Sequence, residues 1–448
     1  MHISAAALYE LLKELPQPAC YWIAYSGGRD SHVLLHAMAS LSGRLTVPLR
    51  AIHINHGLQS DADDWERHCI ATCKELGVPL ETVRLALSPK KGESLEALAR
   101  EARYRAILQL ISEGDLLLTA HHQDDQAETL LLQLLRGAGP AGLGSMPKID
   151  RFGDGFRARP LLGFQRSELE AYATQQQLSW VEDSSNLDLS FDRNYLRSEI
   201  FPLLQARWPG VARTFSRSAG HCAESHELIE AQAAEDLKTV LGSKVGTLEI
   251  PRLLALPMAR VRALLRHWIT RSGFFLPSTD KLNRIINEVI NAGEDRSPLL
   301  QWSGAEVRRY RKQLYLMTPL VDVDAADVVV LEPDMRWRLS PGMGDFQLLA
   351  GEGGVDPRLL DGAKLQIRYH PLDGRLHIQG RAHSMSFKNF YQERGIPPWM
   401  RGRLPLLYAG EQLVAVADFC ICHPFGISKS KSKSGSGVLP SWKLEAQC

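Results

Sequence analysis

No apolar run in this chain of 448 residues approaches the ~18 residues that a membrane-spanning helix needs, so no span is expected. Charge imbalance is lacking too. Against 52 Lys and Arg stand 51 Asp and Glu, a formal net charge of +1. Whole-chain charge therefore offers no argument for a polyanionic partner, and any nucleic-acid site must be a local patch. The seven cysteines are an odd number, and they are scattered. Cys69 and Cys73 lie i,i+4 on an expected helix, and Cys420 and Cys422 alternate in an expected strand. No CxxC pair occurs and no second pair has zinc spacing, so the thiols are expected buried and free in a reducing cytoplasm. Residues 1–14 have no basic lead and carry acidic residues, which reads as a short amphipathic helix and not a signal peptide. Two phosphate-binding motifs are missing as well. Neither GxxxxGK[ST] nor GxGxxG after a strand is present, which removes the P-loop and the dinucleotide fingerprint. The composition that remains, 44% hydrophobic and 23% charged, is that of a globular chain long enough for two to four domains.

What is present is the stretch from Tyr21 to His36. Tyr21 to Tyr25 are aromatic or β-branched apart from Ala24, which suits a buried strand. Ser26, Gly27 and Gly28 must then turn tightly, with glycines reaching backbone angles that a Cβ forbids. Asp30 or Ser31 can cap a helix whose apolar positions Val33, Leu34, Ala37 and Met38 have helical spacing. Together these aim several backbone N–H groups and a positive helix end at one point. That is an anion site, most simply a phosphate site. An ordinary Gly-Gly turn is the competing account. The hexapeptide Ser26-Gly-Gly-Arg-Asp-Ser31 also matches SGGxDS, and so resembles the pyrophosphate loop (PP-loop) of N-type ATP pyrophosphatases, which cut ATP between its α and β phosphates.

From residue 50 the chain repeats strand and then helix. Residues 50–56 alternate as a strand, 61–77 read as helix, 80–87 as strand, 93–113 as a long helix, 115–120 as an apolar strand and 124–135 as helix. This rhythm predicts an α/β domain built on a doubly wound parallel sheet, with ligands at the carboxyl ends of its strands. Four clusters fall at such ends: Ser26–Ser31, His53–Leu58, Arg100–Arg105 and His121–Glu128. Beyond Pro202 the alternation gives way to helix, with a strand at Leu314–Met317. The expected organisation is an α/β domain at 1–210, a small all-helical domain at 211–318, a linker at 319–335, a small α+β C-terminal domain at 336–427, and a disordered Lys/Ser-rich tail at 428–448.

Within the cluster His121–Glu128, Asp124 and Glu128 are i,i+4 on one face at a helix start. Two carboxylates so placed can hold Mg²⁺ on a nucleotide or receive an ammonium group. Acidic residues also favour helix N-termini because of the macrodipole, so spacing alone leaves both accounts standing. His53 and His56 are equally open to a structural role in a loop. Arg260, Arg262 and Arg266 on a later helix can meet RNA phosphate or simply face solvent.

The order of the blocks narrows the choice. Ser26–Ser31, His53–Leu58, Ala99–Tyr104, His121–Thr129 with Arg136–Leu143, Arg159–Leu162, Trp180–Asn186 and Asp192–Arg197 follow one another in about half the chain. In this order they resemble the tRNA(Ile)-lysidine synthetases, and the resemblance continues more loosely to Leu407. It implies a PP-loop ATP pyrophosphatase catalytic domain at 1–210, tRNA binding by 211–318 and tRNA recognition by 336–427. The implied reaction joins free L-lysine to C2 of the wobble cytidine of the isoleucine tRNA with a CAU anticodon. It passes through an adenylated cytidine, releases pyrophosphate and AMP, and changes codon reading from AUG to AUA. Implied for ATP are Ser26, Gly27, Gly28, Arg29, Asp30, Ser31, His53 and His56, with Asp30 beside Mg²⁺. Implied for catalysis are Asp30, His121, Asp124, Asp125 and Glu128, among them an acceptor for the proton that the lysine amine (pKa about 10.4) must lose. Arg100, Arg103, Asn194 and Arg197 are implied substrate contacts. The implied setting is cytoplasmic and away from membranes, with a homodimer as one assembly open to the chain. Around residues 386–394 the chain is poorer in Lys and Arg than such relatives, with only Lys388 between Ser384 and Tyr391.

Rival readings meet what the chain lacks. A PP-loop cytidine thiolase needs paired cysteines for an iron–sulfur cluster or a persulfide, and Cys69 and Cys73 have ordinary core spacing. A glutamine-hydrolysing amidotransferase needs a reactive cysteine near its N-terminus, and none precedes Cys20. A non-catalytic nucleotide-dependent RNA-binding protein would have no use for the acidic cluster at 121–128.

Overall fold

The computed structural model describes residues 3–57, 61–85, 95–183, 188–293, 296–321, 324, 328–331, 336–427 and 436–444. They fall into two compact units, Met1–Ile229 and Glu230–Cys448. The first begins with α1 (Ala5–Lys13), β1 (Tyr21–Ala24), α2 (Arg29–Ala39), β2 (Leu49–Asn55), α3 (Ala62–Glu75) and β3 (Leu80–Arg84). It continues with α4 (Leu95–Leu108), β4 (Leu116–Leu118), α5 (Gln123–Leu135), α6 (Pro140–Leu143), β5 (Ile149–Phe152), β6 (Gly155–Ala158) and α7 (Arg166–Gln175). The strands make one sheet in the order β3-β2-β1-β4-β6-β5, parallel except for the β5–β6 hairpin at its edge. The doubly wound parallel sheet expected from the strand–helix rhythm is present.

β1 lies in the middle because its side chains bury on both faces. Tyr21, Ile23 and Tyr25 join one core with Val33, Leu34, Ala37 and Met38 of α2, while Trp22 joins the other with Ile52, Ala106 and Ile107. Successive side chains of a strand point to opposite faces, and a sheet covered by helices on both faces needs apolar residues at every position. On one side β1 pairs with β2, Tyr21 opposite Leu49; on the other it pairs with β4, Tyr21 opposite Leu116. The chain thus leaves β1 in both directions across the sheet, and a crevice opens at the carboxyl ends of β1, β2 and β4. The β5–β6 hairpin had no clear pattern in the residues, since Asp150, Arg151 and Arg157 interrupt its short runs. Pairing explains their presence: Arg157 donates to Asp150 through Nε at 3.0 Å and Nη2 at 2.6 Å. The cysteines within the described residues are free, and Cys69 and Cys73 belong to the core beside α2.

In the second unit, the helices Met258–Arg271 and Thr279–Arg284 lie against a four-stranded antiparallel sheet made by Leu248–Glu249, Gln313–Met317, Ala305–Tyr310 and Leu299–Trp302. Val261, Leu264, Trp268, Ile285, Val307 and Leu314 form their common core. The region expected to be all-helical, with one strand at Leu314–Met317, is therefore helices backed by a sheet. That strand is present as Gln313–Met317, and its partners, two to six residues long, are too short to announce themselves by periodicity. The C-terminal part is α+β, with a five-stranded sheet, a three-stranded sheet and the helix Phe387–Glu393. Two expectations are corrected here. Val328–Val330, placed in the linker at 319–335, pairs with Leu365–Arg368. Ser436–Lys443, placed in a disordered tail, is a strand paired with Asp345–Glu352 along its whole length. Val438 and Trp442 pack into the core there, which the Ser- and Gly-rich residues before them conceal; Pro440 is tolerated because the strand is an edge. No described helix is long and apolar enough to cross a membrane.

Candidate active site

The turn after β1 is held by its own serines. Ser31 Oγ donates to Gly28 O at 2.8 Å, which leaves it to accept from Ser26 Oγ at 3.1 Å and from Ser26 N at 3.3 Å. Gly27 has φ +86°, a conformation that favours glycine, and a Cβ there would stand 3.0 Å from Cys69 Sγ. α2 starts two or three residues earlier than expected from a cap at Asp30 or Ser31. Its N-cap is Gly28 and no side chain caps it, so the first-turn N–H groups at residues 29–31 and the positive helix end are left for an anion.

A cavity of about 690 Å³ opens beside this loop, within the range of small-molecule sites. Ser26, Asp30, Ser31, His53, His56, Arg100, Arg103, His121, Asp125, Asn194 and Arg197 all line it. Gly27, Gly28, Arg29, Asp124 and Glu128 do not. Arg29 instead donates to Glu170 at 2.7 Å and to Asp30 Oδ1 at 3.2 Å. Asp124 accepts from the Arg166 backbone N–H at 2.8 Å. Asp124 is thus turned to the start of α7 and Glu128 to Arg197, while Asp125 lines the cavity. Lining residues that had no individual role in the sequence include Arg193, Asp183 and Tyr104. All three lie within the quoted blocks, so only their roles were unread.

Four arginines give this cavity its positive side. Arg197 donates to Glu128 through Nε at 2.7 Å and Nη2 at 2.8 Å, and its Nη2 also reaches Asp125 Oδ1 at 3.0 Å. Arg193 Nε stands 3.3 Å from Glu128, and Arg193 Nη2 donates to Thr129 Oγ1 at 2.7 Å. Burial opposes the Arg197 charge, but the Glu128 and Asp125 carboxylates outweigh it and raise its pKa. Arg103 directs Nε and Nη2 at His56 Nε2, at 3.1 and 3.0 Å. His56 must be neutral to accept, and burial followed by the Arg103 charge pushes its pKa down to about 4. Arg100 lies over the Tyr104 ring at 5.1 Å. His53 Nδ1 pairs with Tyr25 O at 3.0 Å, and burial lowers its pKa.

The acidic side centres on a residue that was not singled out in the sequence, His122. It is buried, with Nε2 3.5 Å from Asp30 Oδ2 and 3.4 Å from Asp125 Oδ2, and Nδ1 3.6 Å from Asp124 Oδ2. Burial opposes its charge, yet the surrounding carboxylates win and raise its pKa to about 10. Both ring nitrogens then donate, although Nδ1 also stands 3.3 Å from Asp124 N, where a helix cap would sit. Asp125 Oδ2 completes the helix start by accepting from His122 N at 3.1 Å. Burial would raise the Asp30 carboxyl, but His122 and Arg29 hold it down at about 2. Asp125 is lowered as well, against burial, by His122, His121 and Arg197. His121, beside them, goes the other way: burial pushes it down to about 4, and Thr119 Oγ1 holds its Nδ1 at 2.9 Å. At neutral pH the site therefore presents ionised Asp30 and Asp125, neutral His121 and His56, and a set of arginines. That arrangement binds a polyanion and leaves proton acceptors beside it.

Three family models match the chain: a PP-loop domain over residues 1–204, a TilS substrate binding domain over 248–315 and a TilS substrate C-terminal domain over 365–435. The tRNA(Ile)-lysidine synthase of Coxiella burnetii is 43% identical over 446 residues, 98% of this chain and 96% of that one. Proteins of the same name from Methylococcus capsulatus, 40% identical over 88% of this chain and 90% of that one, and Yersinia pseudotuberculosis, 39% identical over 98% of each, are comparably similar. On a PP-loop followed by both substrate domains, and on identity that runs almost from end to end, the chain belongs to the tRNA(Ile)-lysidine synthase family of PP-loop ATPases.

Proposed function

We propose that this chain ligates free L-lysine to C2 of the wobble cytidine of the CAU-anticodon isoleucine tRNA, in the cytoplasm, using the cavity beside Ser26–Ser31 for both steps. The observation that carries the reading is the meeting, in one cavity, of an uncapped helix start behind an SGGxDS loop with Asp30, Asp125, Arg103 and Arg197. The cytidine C2 oxygen is a poor leaving group, so it first attacks the α-phosphate of ATP and becomes an adenylate as pyrophosphate departs. N–H groups of the loop and of the first turn of α2 hold the charge that grows on the departing group, and they are pre-oriented for it. Arg100 and Arg103 supply further cationic contacts to phosphate. Asp30, ionised beside the loop, is the residue that would hold a Mg²⁺ ion brought by the nucleotide, and the ion would supply further positive charge for the departing pyrophosphate.

In the second step the lysine ε-amine displaces AMP at C2 and loses a proton. Free lysine arrives as an ammonium (pKa about 10.4), so it must give up one proton before its nitrogen can attack. The nitrogen loses a second as the C–N bond forms and AMP leaves, and both need an acceptor close by. Asp125 and His121 line the cavity and are assigned this acceptor role. Asp124 and Glu128 are turned to other partners, and Glu128 acts by holding Arg197 and Arg193. The test supplies purified protein with the CAU-anticodon isoleucine tRNA, ATP with Mg²⁺ and labelled lysine, and counts label in the RNA. Incorporation that vanishes when the wobble cytidine is replaced is the expected result. Pyrophosphate release without label would mean a different second substrate, and the absence of both label and pyrophosphate release would overturn the ligase reading.

A further inference from the structure

We propose that His122 is a positioning residue that ties the loop carboxylate Asp30 to the α5 carboxylate Asp125 and so fixes the nucleotide side of the cavity against the lysine side. The proposal rests on the ligase reading above. Asp30 comes from the first turn of α2, after β1, and Asp125 from the first turn of α5, after β4. β1 and β4 are neighbours in the sheet, so both helix starts face the same crevice and each brings a carboxylate into it. Two such charges would repel and swing apart if nothing stood between them. His122 stands there. Its Nε2 is 3.5 Å from Asp30 Oδ2 and 3.4 Å from Asp125 Oδ2. The other oxygen of each acid is taken from the far side, Asp30 Oδ1 by Arg29 and Asp125 Oδ1 by Arg197. The result is a continuous run, Arg29–Asp30–His122–Asp125–Arg197, from the PP-loop to the acid and arginine on the opposite wall. His122 itself is 1% exposed and is absent from the cavity wall, so it acts through its neighbours and not on substrate.

A bare structural role for His122 would be to cap α5 through Nδ1, which lies 3.3 Å from Asp124 N. The two roles use different ring nitrogens, and two substitutions separate them. An Asn amide ends the same number of bonds from Cβ as Nδ1, and a Gln amide the same number as Nε2. His122→Asn therefore keeps the cap and removes the tie; His122→Gln keeps a donor near Asp30 and Asp125 and gives up the cap. The assay is tRNA-dependent pyrophosphate release without lysine, with kcat, the KM for tRNA and the thermal midpoint of each protein. The expected result is a kcat about 100-fold lower for His122→Asn, at an unchanged midpoint and unchanged KM for tRNA, with His122→Gln within about tenfold of wild type. Equal or better activity of the Asn variant, equal loss in both, or failure of both to fold would overturn the proposal. Absence of pyrophosphate release by the wild-type protein would instead overturn the ligase reading and this proposal with it.

Discussion

Arg197 grips Glu128 with two parallel hydrogen bonds, at 2.7 and 2.8 Å, on a carboxylate that is 3% exposed. One of the same nitrogens holds Asp125 at 3.0 Å, so a single guanidinium sets the position of two acids on α5. Removing one member of a buried ion pair leaves the other charge without compensation, at a cost of about 3–5 kcal/mol. Arg193, 3.3 Å from Glu128, offsets part of this. Arg197→Met is therefore expected to lower stability by about 3 kcal/mol in urea titration and to abolish lysine transfer. Glu128→Gln keeps an acceptor for Arg197 but loses its charge; lysine transfer should disappear while pyrophosphate release stays measurable. An Arg197→Met protein with the wild-type urea midpoint would show that the pair contributes nothing.

The loop after β1 was legible because everything that makes it is local: an apolar run, two glycines and a helix start within eleven residues. The tie between Asp30 and Asp125 was not, since it depends on β1 and β4 being neighbours, and no spacing carries that fact. His121 and His122 are adjacent and identical, yet one is held neutral and the other charged. Burial acts on both, and the difference comes from which ring meets carboxylates: His122 lies beside Asp124 and Asp125 of its own helix start and Asp30 from the loop after β1. Arg29 stands inside the SGGxDS loop but turns to Glu170 on α7, a partner 141 residues away. In the second unit, short strands such as Leu248–Glu249 exist only because longer ones pair with them.

Gly27 has φ +86°, and a Cβ added to it would meet Cys69 Sγ at 3.0 Å. Its carbonyl also accepts from Val181 N at 3.0 Å, so the loop cannot simply rotate away. Left-handed backbone costs a residue with a Cβ about 1–2 kcal/mol. Gly27→Ala should lose about that much stability and raise the KM for ATP. Adding Cys69→Ala should relieve the contact but leave the backbone cost, so the double variant remains below Cys69→Ala alone. Full recovery of the double variant would place the whole effect in the sulfur contact.

Ser436–Lys443 closes one edge of the sheet built on Asp345–Glu352, and Trp442 Nε1 donates to Met343 O at 2.8 Å while its ring packs into the same core. A chain ended at residue 427 would expose that edge as a template for pairing with other molecules. It should aggregate more readily on heating than the full chain. Trp442→Ala, which keeps the strand, should cost about 2 kcal/mol, less than a fully buried Trp because the ring is only partly buried. Unchanged heating behaviour of the shortened chain would mean that the strand does not stabilise this sheet.

Stability should fall on both sides of neutrality, for opposite reasons. His56 and His121 have folded pKa values pushed down from 6.5 to about 4, chiefly by burial. Between pH 6.5 and about 4 the unfolded chain binds protons that the folded chain refuses, so stability rises with pH across that window. Each proton contributes at most about 1.4 kcal/mol per pH unit, and His56, being partly exposed, contributes less. His122 runs the other way, since its folded pKa is raised to about 10; its contribution is complete below pH 6.5 and is lost as pH climbs toward 10. Asp30, held at about 2, adds stability that is present above pH 3.8 and is lost only as pH falls through 2, below the histidine window. Urea midpoints measured from pH 4 to 9 should peak near 6.5–7. His121→Gln should flatten the acid limb and leave the alkaline limb in place. An acid limb of unchanged slope in that variant would assign the proton uptake to other groups.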